Sequence, residues 1–157
     1  MIRSATPADA AQICDIWNPI IRDTLITFTT IEKTPMGVEL MLSKSNPFLV
    51  AVDDTNVLGF ATYNPFRAGP GYASTMELSI NLAENSRGQG VGTALLAALE
   101  STARNNGITT LIAGVSGANP DAIRFHETNT YTHVGTLPQV GQKFDQRLDL
   151  VLLQKLL

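Results

Sequence analysis

A glycine-rich turn that leads directly into an apolar helical run constrains this chain more than any other stretch. The turn is Arg87-Gly88-Gln89-Gly90-Val91-Gly92, and the run from Thr93 to Leu99 follows at once. The first N–H groups of a helix lack partners within the helix, the helix dipole adds about half a positive charge, and glycines let the backbone approach an anion closely. The stretch therefore predicts a helix N-terminus that binds a phosphate group, with Arg87 as an additional cation.

Two nucleotide-binding interpretations fit this turn poorly. It lacks the Gly-Lys-Ser/Thr ending of a P-loop, and no βαβ unit with a ribose-binding acid follows it, as a dinucleotide site would require. A turn without any ligand is the plain alternative. The turn does match the pattern Arg/Gln-x-x-Gly-x-Gly/Ala, with Arg87, Gly90 and Gly92 at the defined positions. At the start of a helix, backbone of this kind can hold a pyrophosphate.

Length and charge narrow the classes of protein. A chain of 157 residues suits one domain, residues 1–157, with a single core and no need of disulfides. The only cysteine, Cys14, is expected to fill the core. A net charge of −3 without a run of Lys or Arg disfavours nucleic acid and anionic membranes as partners. We expect a cytoplasmic protein, because no apolar leader or membrane-length segment is seen, and no metal, because no acid, His and Cys cluster has ligand spacing.

Periodicity predicts a mixed α/β (α+β) fold. The predicted helices are 7–23, a shorter one from Thr34-Pro35, 90–105 and 120–128, and the predicted strands are one at the N-terminus, 48–52, 57–63, 75–82, 108–115, 131–140 and 145–153. Between 75 and 82, apolar and polar residues alternate, which places Glu77 on the face opposite Leu78. The order β-α-α-β-β-β-α-β-α-β-β predicts a central sheet of about seven strands flanked by about four helices.

This order, with the glycine turn between the fourth strand and the third helix, is similar to the fold of the GCN5-related N-acetyltransferase (GNAT) superfamily. Within it the chain resembles the phosphinothricin and methionine sulfoximine acetyltransferase subfamily along nearly its whole length. The matching places are Ile16-Trp17-Asn18 with Thr24 and Phe28, Phe66-Arg67 with Tyr72, Thr75-x-Glu77, the glycine turn, Phe125-His126-Glu127, Val134-Gly135-Thr136-Leu137, Gly141-x-Lys143-Phe144, and Leu148-Asp149 with Gln154.

The resemblance implies an N-acetyltransferase that uses acetyl-CoA and passes the acetyl group directly to a small amino-acid-like amine in a ternary complex, in a homodimer. The residues it implies for acetyl-CoA are the backbone of Ile80, Asn81 and Leu82, the segment Arg87, Gly88, Gln89, Gly90, Val91, Gly92 and Thr93, and Asn119. A backbone N–H on the strand would polarise the thioester carbonyl. For Asn119, capping of the last helix is an equally good interpretation, and the two roles are compatible.

Two catalytic residues follow from the same resemblance. Glu77 is expected to be the base, directly or through water. An ordinary Glu is a weak base toward an ammonium, so burial or a water relay would have to help. An exposed strand carboxylate without a catalytic role is the alternative. His126 is expected to be the general acid or a contact of the CoA sulfur, because imidazole titrates in a useful range. A purely structural His126 on a short helix is the alternative. We expect His133 to face solvent.

The implied acceptor-binding residues are Phe28, Arg67, Tyr72, Thr75 and Lys143. A guanidinium pairs well with a carboxylate or phosphinate, so Arg67 is the first candidate for this contact and Lys143 the second. Phe28, Tyr72, Tyr131 and Trp17 are candidate aromatic walls, although Trp17 also fits the core stripe of the first helix.

The chain departs from the subfamily mainly on the acceptor side, at Asn81, Thr130 and Arg147 among others, which leaves the acetylated amine open. One alternative is a peptide or protein N-acetyltransferase, which would need an open groove. Another is a non-catalytic acyl-CoA-binding module, which would keep the glycine turn but would not need Glu77.

Overall fold

A seven-stranded mixed sheet runs through the middle of the molecule, for which the computed structural model describes all residues, 1–157. Its strands are β1 (Ile2–Ser4), β2 (Phe48–Asp53), β3 (Asn56–Pro65), β4 (Thr75–Leu82), β5 (Thr110–Ser116), β6 (Thr132–Lys143) and β7 (Gln146–Leu156). They lie in the order β1-β2-β3-β4-β5-β7-β6. Only β4 and β5 pair in parallel, and every other pair is antiparallel.

Four α-helices complete the predicted fold class, which is confirmed. They are α1 (Ala10–Asp23), α2 (Pro35–Leu42), α3 (Val91–Asn105) and α4 (Pro120–Thr128). The first helix was expected to begin at Pro7, but residues 7–9 form a 3₁₀ turn. The carboxylate of Asp9 accepts hydrogen bonds from the Thr6 N–H and the Arg3 guanidinium there. None of the helices has the length and apolar character that crossing a membrane requires.

The sheet is covered on both faces, because alternate residues of its central strands point to opposite sides. One core lies under α3 and α4, and the other under α1 and α2. In β2, for example, Leu49 and Ala51 belong to the α3 side, whereas Phe48, Val50 and Val52 belong to the α1 side. Cys14 is buried in the second core, as expected.

The parallel pair β4 and β5 separates partway along its length. Pairing runs from Thr75↔Thr110 to Leu78↔Ala113 and then stops, although β4 continues to Leu82 and β5 to Ser116. Beyond that point β4 stays with β3, and β5 stays with β7. A gap therefore opens in the middle of the sheet, edged by strand backbone that has a partner on one side only.

The C-terminal hairpin is longer than predicted. β6 continues to Lys143 and β7 to Leu156, whereas the sequence suggested ends at 140 and 153. A register irregularity between Leu137 and Gly141 carries β6 past the predicted end. The strands are joined by Phe144 and Asp145, both at positive φ. Such turns usually carry Asn-Gly or Asp-Gly, so this one gave no recognisable signal.

Candidate active site

A cavity of about 590 Å³ fills the gap between the separated ends of β4 and β5. On the α1 side it is lined by Trp17, Ile20, Ile26, Thr27, Thr29 and Lys33, and on the α4 side by Asn119, Asp121, Ala122, Phe125 and His126. Residues 78–82 and 113–116 form the strand edges between them. Because α1 and α4 cover opposite faces of the sheet, the cavity passes through the sheet from one face to the other.

The glycine turn borders this cavity at the N-terminus of α3. Gly88 and Gly90 have φ values of 73° and 81°, a conformation that glycine adopts without strain. The amide N–H groups of residues 88–93 donate to no acceptor within the protein. Six consecutive unpaired donors, the dipole of α3 and the guanidinium of Arg87 are together a donor set for an oxyanion, and they suit the pyrophosphate of a CoA thioester.

The turn is held in place by its flanks. The buried Ser86 hydroxyl donates to the carbonyl of Leu58, 2.7 Å away, and the Gln89 side chain donates to the carbonyl of Asn85. A Cβ on Gly92 would lie 3.2 Å from the Phe125 ring. The small residue at 92 thus lets the helix end approach both α4 and the cavity.

Most of the residues predicted for acetyl-CoA meet at this cavity. The lining includes Ile80, Asn81, Leu82, Arg87, Gly88, Gly92 and Asn119. The other predicted residues, Gln89, Gly90, Val91 and Thr93, belong to the same turn and helix start but do not line the cavity. The Asn119 side-chain oxygen accepts the Ala122 N–H, so it caps α4 as the alternative interpretation held. Its side-chain nitrogen has no protein partner and is available to a ligand.

Glu77 lies at the point where the strands begin to separate. Its side chain is partly buried and accepts no hydrogen bond from the protein, and burial raises the pKa of its carboxyl above the ordinary value. Glu77 is not itself a lining residue, but its Oε2 lies 3.2 Å from where a Cβ of Gly114 would be, and Gly114 does line the cavity. The predicted base is thus beside the cavity, with the raised pKa that a base requires.

His126 reaches the cavity from α4, and its burial sets the protonation state on which its predicted role depends. The residue is 3% exposed, its Nδ1 has no hydrogen-bond partner, and burial lowers its pKa to about 4. At this pKa the imidazole is neutral at physiological pH, which favours the contact and structural interpretations of His126 over a general acid. His133 is exposed, as expected.

Three of the predicted acceptor residues lie together away from the cavity lining. The Phe66 N–H donates to the carbonyl of Thr75, the ring of Tyr72 lies 6.3 Å from that of Phe66, and the Arg67 guanidinium lies 5.8 Å from the same ring. This cluster flanks the start of β4, two residues before Glu77. None of its members lines the cavity.

Lys143 and Phe28 pack beside the α1 side of the cavity and do not line it. The buried Lys143 ammonium donates to the carbonyl and hydroxyl of Thr27, at 2.9 and 3.1 Å. The Phe28 ring packs on Gly141, where a Cβ would come within 2.5 Å of it. Two of the three Lys143 donors are thus taken up by Thr27, and its predicted pairing with an acceptor carboxylate stays a prediction. Tyr131, a candidate wall, is instead buried in the core.

In the segment between α1 and α2, sequence reasoning named Phe28 as a wall of the site but missed the residues that line the cavity. Ile26, Thr27, Thr29 and Lys33 are scattered through a stretch without periodicity, and no motif marks them. Trp17 takes both of its proposed roles, since it is buried in the α1 core and also lines the cavity. Only the three-dimensional packing of this segment over the gap shows its role.

A split sheet with an anion-binding helix end at the split defines a class of acyl-CoA-dependent transferases, and the comparisons with known proteins agree. The model of the "Acetyltransferase (GNAT) family" matches residues 13–130. The chain belongs to the GNAT family and is an N-acetyltransferase.

Similar proteins are known from several bacteria. The chain is 33% identical to an L-methionine sulfoximine/L-methionine sulfone acetyltransferase of Pseudomonas aeruginosa, over 98% of this chain and 92% of the relative. It is 37% identical, with a TM-score of 0.96, to the structure of a ribosomal-protein-alanine N-acetyltransferase from Brucella melitensis, covering 100% of this chain and 99% of that one. A phosphinothricin acetyltransferase from Sinorhizobium meliloti in complex with acetyl-CoA is 28% identical, with a TM-score of 0.94, and the match covers 100% and 88% of the two chains.

Proposed function

We propose that this protein transfers the acetyl group of acetyl-CoA to the amine of a small amino-acid-like acceptor such as phosphinothricin, methionine sulfoximine or methionine sulfone. The observation that carries the proposal is the cavity that passes through the sheet, with unpaired amide donors on one side and Glu77 beside its narrow end. Donor and acceptor can then enter from opposite faces and meet between β4 and β5. The named substrates of the relatives support this acceptor class.

The donor side is formed by residues that need no rearrangement to bind an anion. The amides of residues 88–93 and Arg87 would hold the pyrophosphate, and the side-chain nitrogen of Asn119 would donate to the pantetheine arm. The unpaired edge of Ser79 to Leu82 offers strand-like hydrogen bonds to that arm. An N–H on this edge would stabilise the negative charge that develops on the thioester oxygen.

The acetyl transfer itself requires one further side chain, that of Glu77. Glu77, directly or through a water, accepts a proton from the acceptor ammonium, and the neutral amine attacks the thioester carbonyl. The C–N bond forms, the C–S bond breaks, and the thiolate leaves with a proton from solvent. No covalent enzyme intermediate is required. We assign His126 the role of a neutral contact on the donor side.

The two alternatives are weaker on physical grounds. A binding module has no use for a partly buried carboxylate without hydrogen-bond partners, since its burial costs stability. The name of the Brucella relative supports a protein N-acetyltransferase. That activity would need an open groove for the peptide, however, whereas a cavity between two strands suits a small acceptor.

We further propose a cytoplasmic homodimer. The edge strand β6 exposes the apolar residues Val134, Leu137 and Val140, and the turn after it exposes Phe144. A second copy of the chain covering these residues would bury them and protect the exposed strand edge. The free thiol of Cys14 suits a reducing compartment. Light scattering of the purified protein tests the dimer.

The test of the activity is CoA release from acetyl-CoA with a panel of amines: phosphinothricin, methionine sulfoximine, methionine sulfone, free amino acids and an alanine-terminated peptide. Turnover of the amino-acid analogues supports the proposal. Turnover of the peptide alone supports the protein N-acetyltransferase, and tight CoA binding without turnover supports the binding module.

A further inference from the structure

Lys33 is the only cation among the residues that line the acceptor side of the cavity, since Lys143 donates to Thr27 without lining it. The other cationic lining residue, Arg87, belongs to the glycine turn on the donor side. The only acidic lining residue, Asp121, lies at the start of α4 and pairs with Arg124. Lys33 is therefore the only charged lining residue that an anion entering from the α1 side meets.

The backbone of Lys33 is fixed although it lies in a connecting segment. Its N–H donates to the side-chain oxygen of Asn18 at 2.7 Å, and the Asn18 side-chain nitrogen donates to its carbonyl at 2.9 Å. This reciprocal pair ties residue 33 to α1, so the start of the lysine side chain is held at a defined place beside the cavity.

The ammonium is also positioned, but it has no counter-ion. Its Nζ lies 4.7 Å from the centroid of the Trp17 ring, a cation–π arrangement, and Lys33 forms neither a salt bridge nor a side-chain hydrogen bond. Its three N–H donors are thus free. Beside it, the Trp17 ring and Ile20 offer an apolar wall, and Thr27 and Thr29 offer hydroxyls.

We propose that Lys33 binds the carboxylate of the acceptor, with Trp17 packing against the acceptor side chain. This inference rests on the proposed function and adds the residue that selects the acceptor class. A free amino acid carries a carboxylate next to its amine, whereas the N-terminal residue of a peptide carries a neutral amide there. Lys33 therefore favours free amino acids over peptide N-termini.

The test compares L-methionine sulfone with its primary carboxamide as acceptors, since the carboxamide lacks the charge and imitates a peptide N-terminus. Lys33→Met keeps the stem of the side chain and removes the charge, and Lys33→Arg keeps the charge. Lys44→Met is the matched control, because Lys44 is exposed and distant from this cavity. Amidation also changes the pKa of the amine, so each acceptor is compared with itself across the variants.

Lys33→Met is expected to lower kcat/KM for methionine sulfone about ten- to hundredfold, mainly through KM, and to change it less than about twofold for the carboxamide. For Lys33→Arg and Lys44→Met, kcat/KM for both acceptors is expected to stay near the wild-type value. The KM for acetyl-CoA is expected to be unchanged in all variants. An equal loss for both acceptors, or a loss for neither, overturns the assignment.

Calorimetry separates a failure of this inference from a failure of the proposed function. Methionine sulfone is titrated into the protein saturated with CoA, and Lys33→Met is expected to weaken its binding by a similar factor. A wild-type protein that acetylates neither acceptor contradicts the proposed function, and the binding comparison still decides on Lys33. Equal binding by wild type and Lys33→Met overturns the role of Lys33 whatever the activity shows.

Discussion

The carboxylate of Glu77 occupies space that exists because residue 114 is glycine. Glu77 Oε2 lies 3.2 Å from the position of a Cβ on Gly114, closer than most real contacts of a Cβ atom. Glu77 pairs in register with Ile112, one residue before the hydrogen-bonded part of β4 and β5 ends. The carboxylate is thus held beside the opening of the sheet, against a neighbour with no side chain.

Removal of the Glu77 charge tests its role as a base. Glu77→Gln is expected to lower kcat about 10²- to 10⁴-fold, because the amide cannot accept the proton of the acceptor ammonium. The KM for acetyl-CoA is expected to stay the same, since Glu77 is not among the lining residues. Steady-state kinetics of CoA release measure both parameters, with the exposed Glu127→Gln as control. Full activity of Glu77→Gln would remove this residue from the mechanism.

Gly114→Ala tests whether the space at residue 114 matters for catalysis. The added methyl group displaces the Glu77 carboxylate, so we expect kcat to fall by about tenfold while the protein stays folded. The double variant with Glu77→Gln is expected to be no slower than Glu77→Gln alone, because both changes act on the same carboxylate. If the two losses multiply instead, Gly114 acts independently of Glu77.

The sequence predicted the parts of this site that carry local signals. Glycines at positive φ, a run of alternating residues in β4 and a capping Asn119 each reflect a local preference of the backbone, so residues 75–128 were placed nearly as the structure has them. Lys33 and Lys143 have no such signal. Their roles depend on how the segment after α1 lies over the gap and the C-terminal hairpin, and those contacts join residues far apart in the chain.

The protonation state of His126 is a second property that the sequence could not predict. Its position on α4 was predicted correctly, but its protonation state depends on the packing around the ring. Phe125 and Tyr131 lie 5.1 and 5.2 Å from it, and the Nδ1 has no partner. Burial without a partner lowers the pKa of an imidazole, and no pattern of residue types would have revealed it.

Arg87→Ala tests the donor side. We expect the KM for acetyl-CoA to rise about tenfold or more with a smaller change in kcat, because the guanidinium contacts a part of the donor that does not react. The exposed Arg147→Ala, in the C-terminal hairpin, is the control for removing an arginine. An unchanged affinity for acetyl-CoA would contradict a contact between Arg87 and the pyrophosphate.

Lys143→Met tests whether the lysine positions the acceptor wall. The variant removes the hydrogen bonds to Thr27 and keeps most of the buried stem, so we expect a higher KM for the acceptor, by about three- to tenfold, and an unchanged KM for acetyl-CoA. If Lys143 contacted the acceptor carboxylate instead, the loss would appear for methionine sulfone and not for its carboxamide. A loosened wall affects both acceptors alike.

The pH dependence of stability tests the buried state of His126. Its folded-state pKa of about 4 lies below the ordinary 6.5, so between these values the unfolded chain binds more protons than the folded one. The free energy of unfolding should therefore fall as the pH is lowered from 6.5 towards 4, by about 3 kcal/mol at most from this residue. From about one pH unit above 6.5 the ring is neutral in both states and contributes almost no slope.

The measurement is urea unfolding between pH 4.5 and 7.5 for wild type and for His126→Gln, which fills a similar space and does not titrate. Glu77 contributes in the opposite direction, because its pKa is raised on folding, but it does so equally in both proteins. The curve of His126→Gln should thus be flatter than that of wild type below pH 6.5. The curve of His133→Gln, a change at an exposed position, should run parallel to that of wild type. Parallel curves for His126→Gln and wild type would show that His126 titrates normally in the folded protein, and general acid catalysis by this residue would again be open.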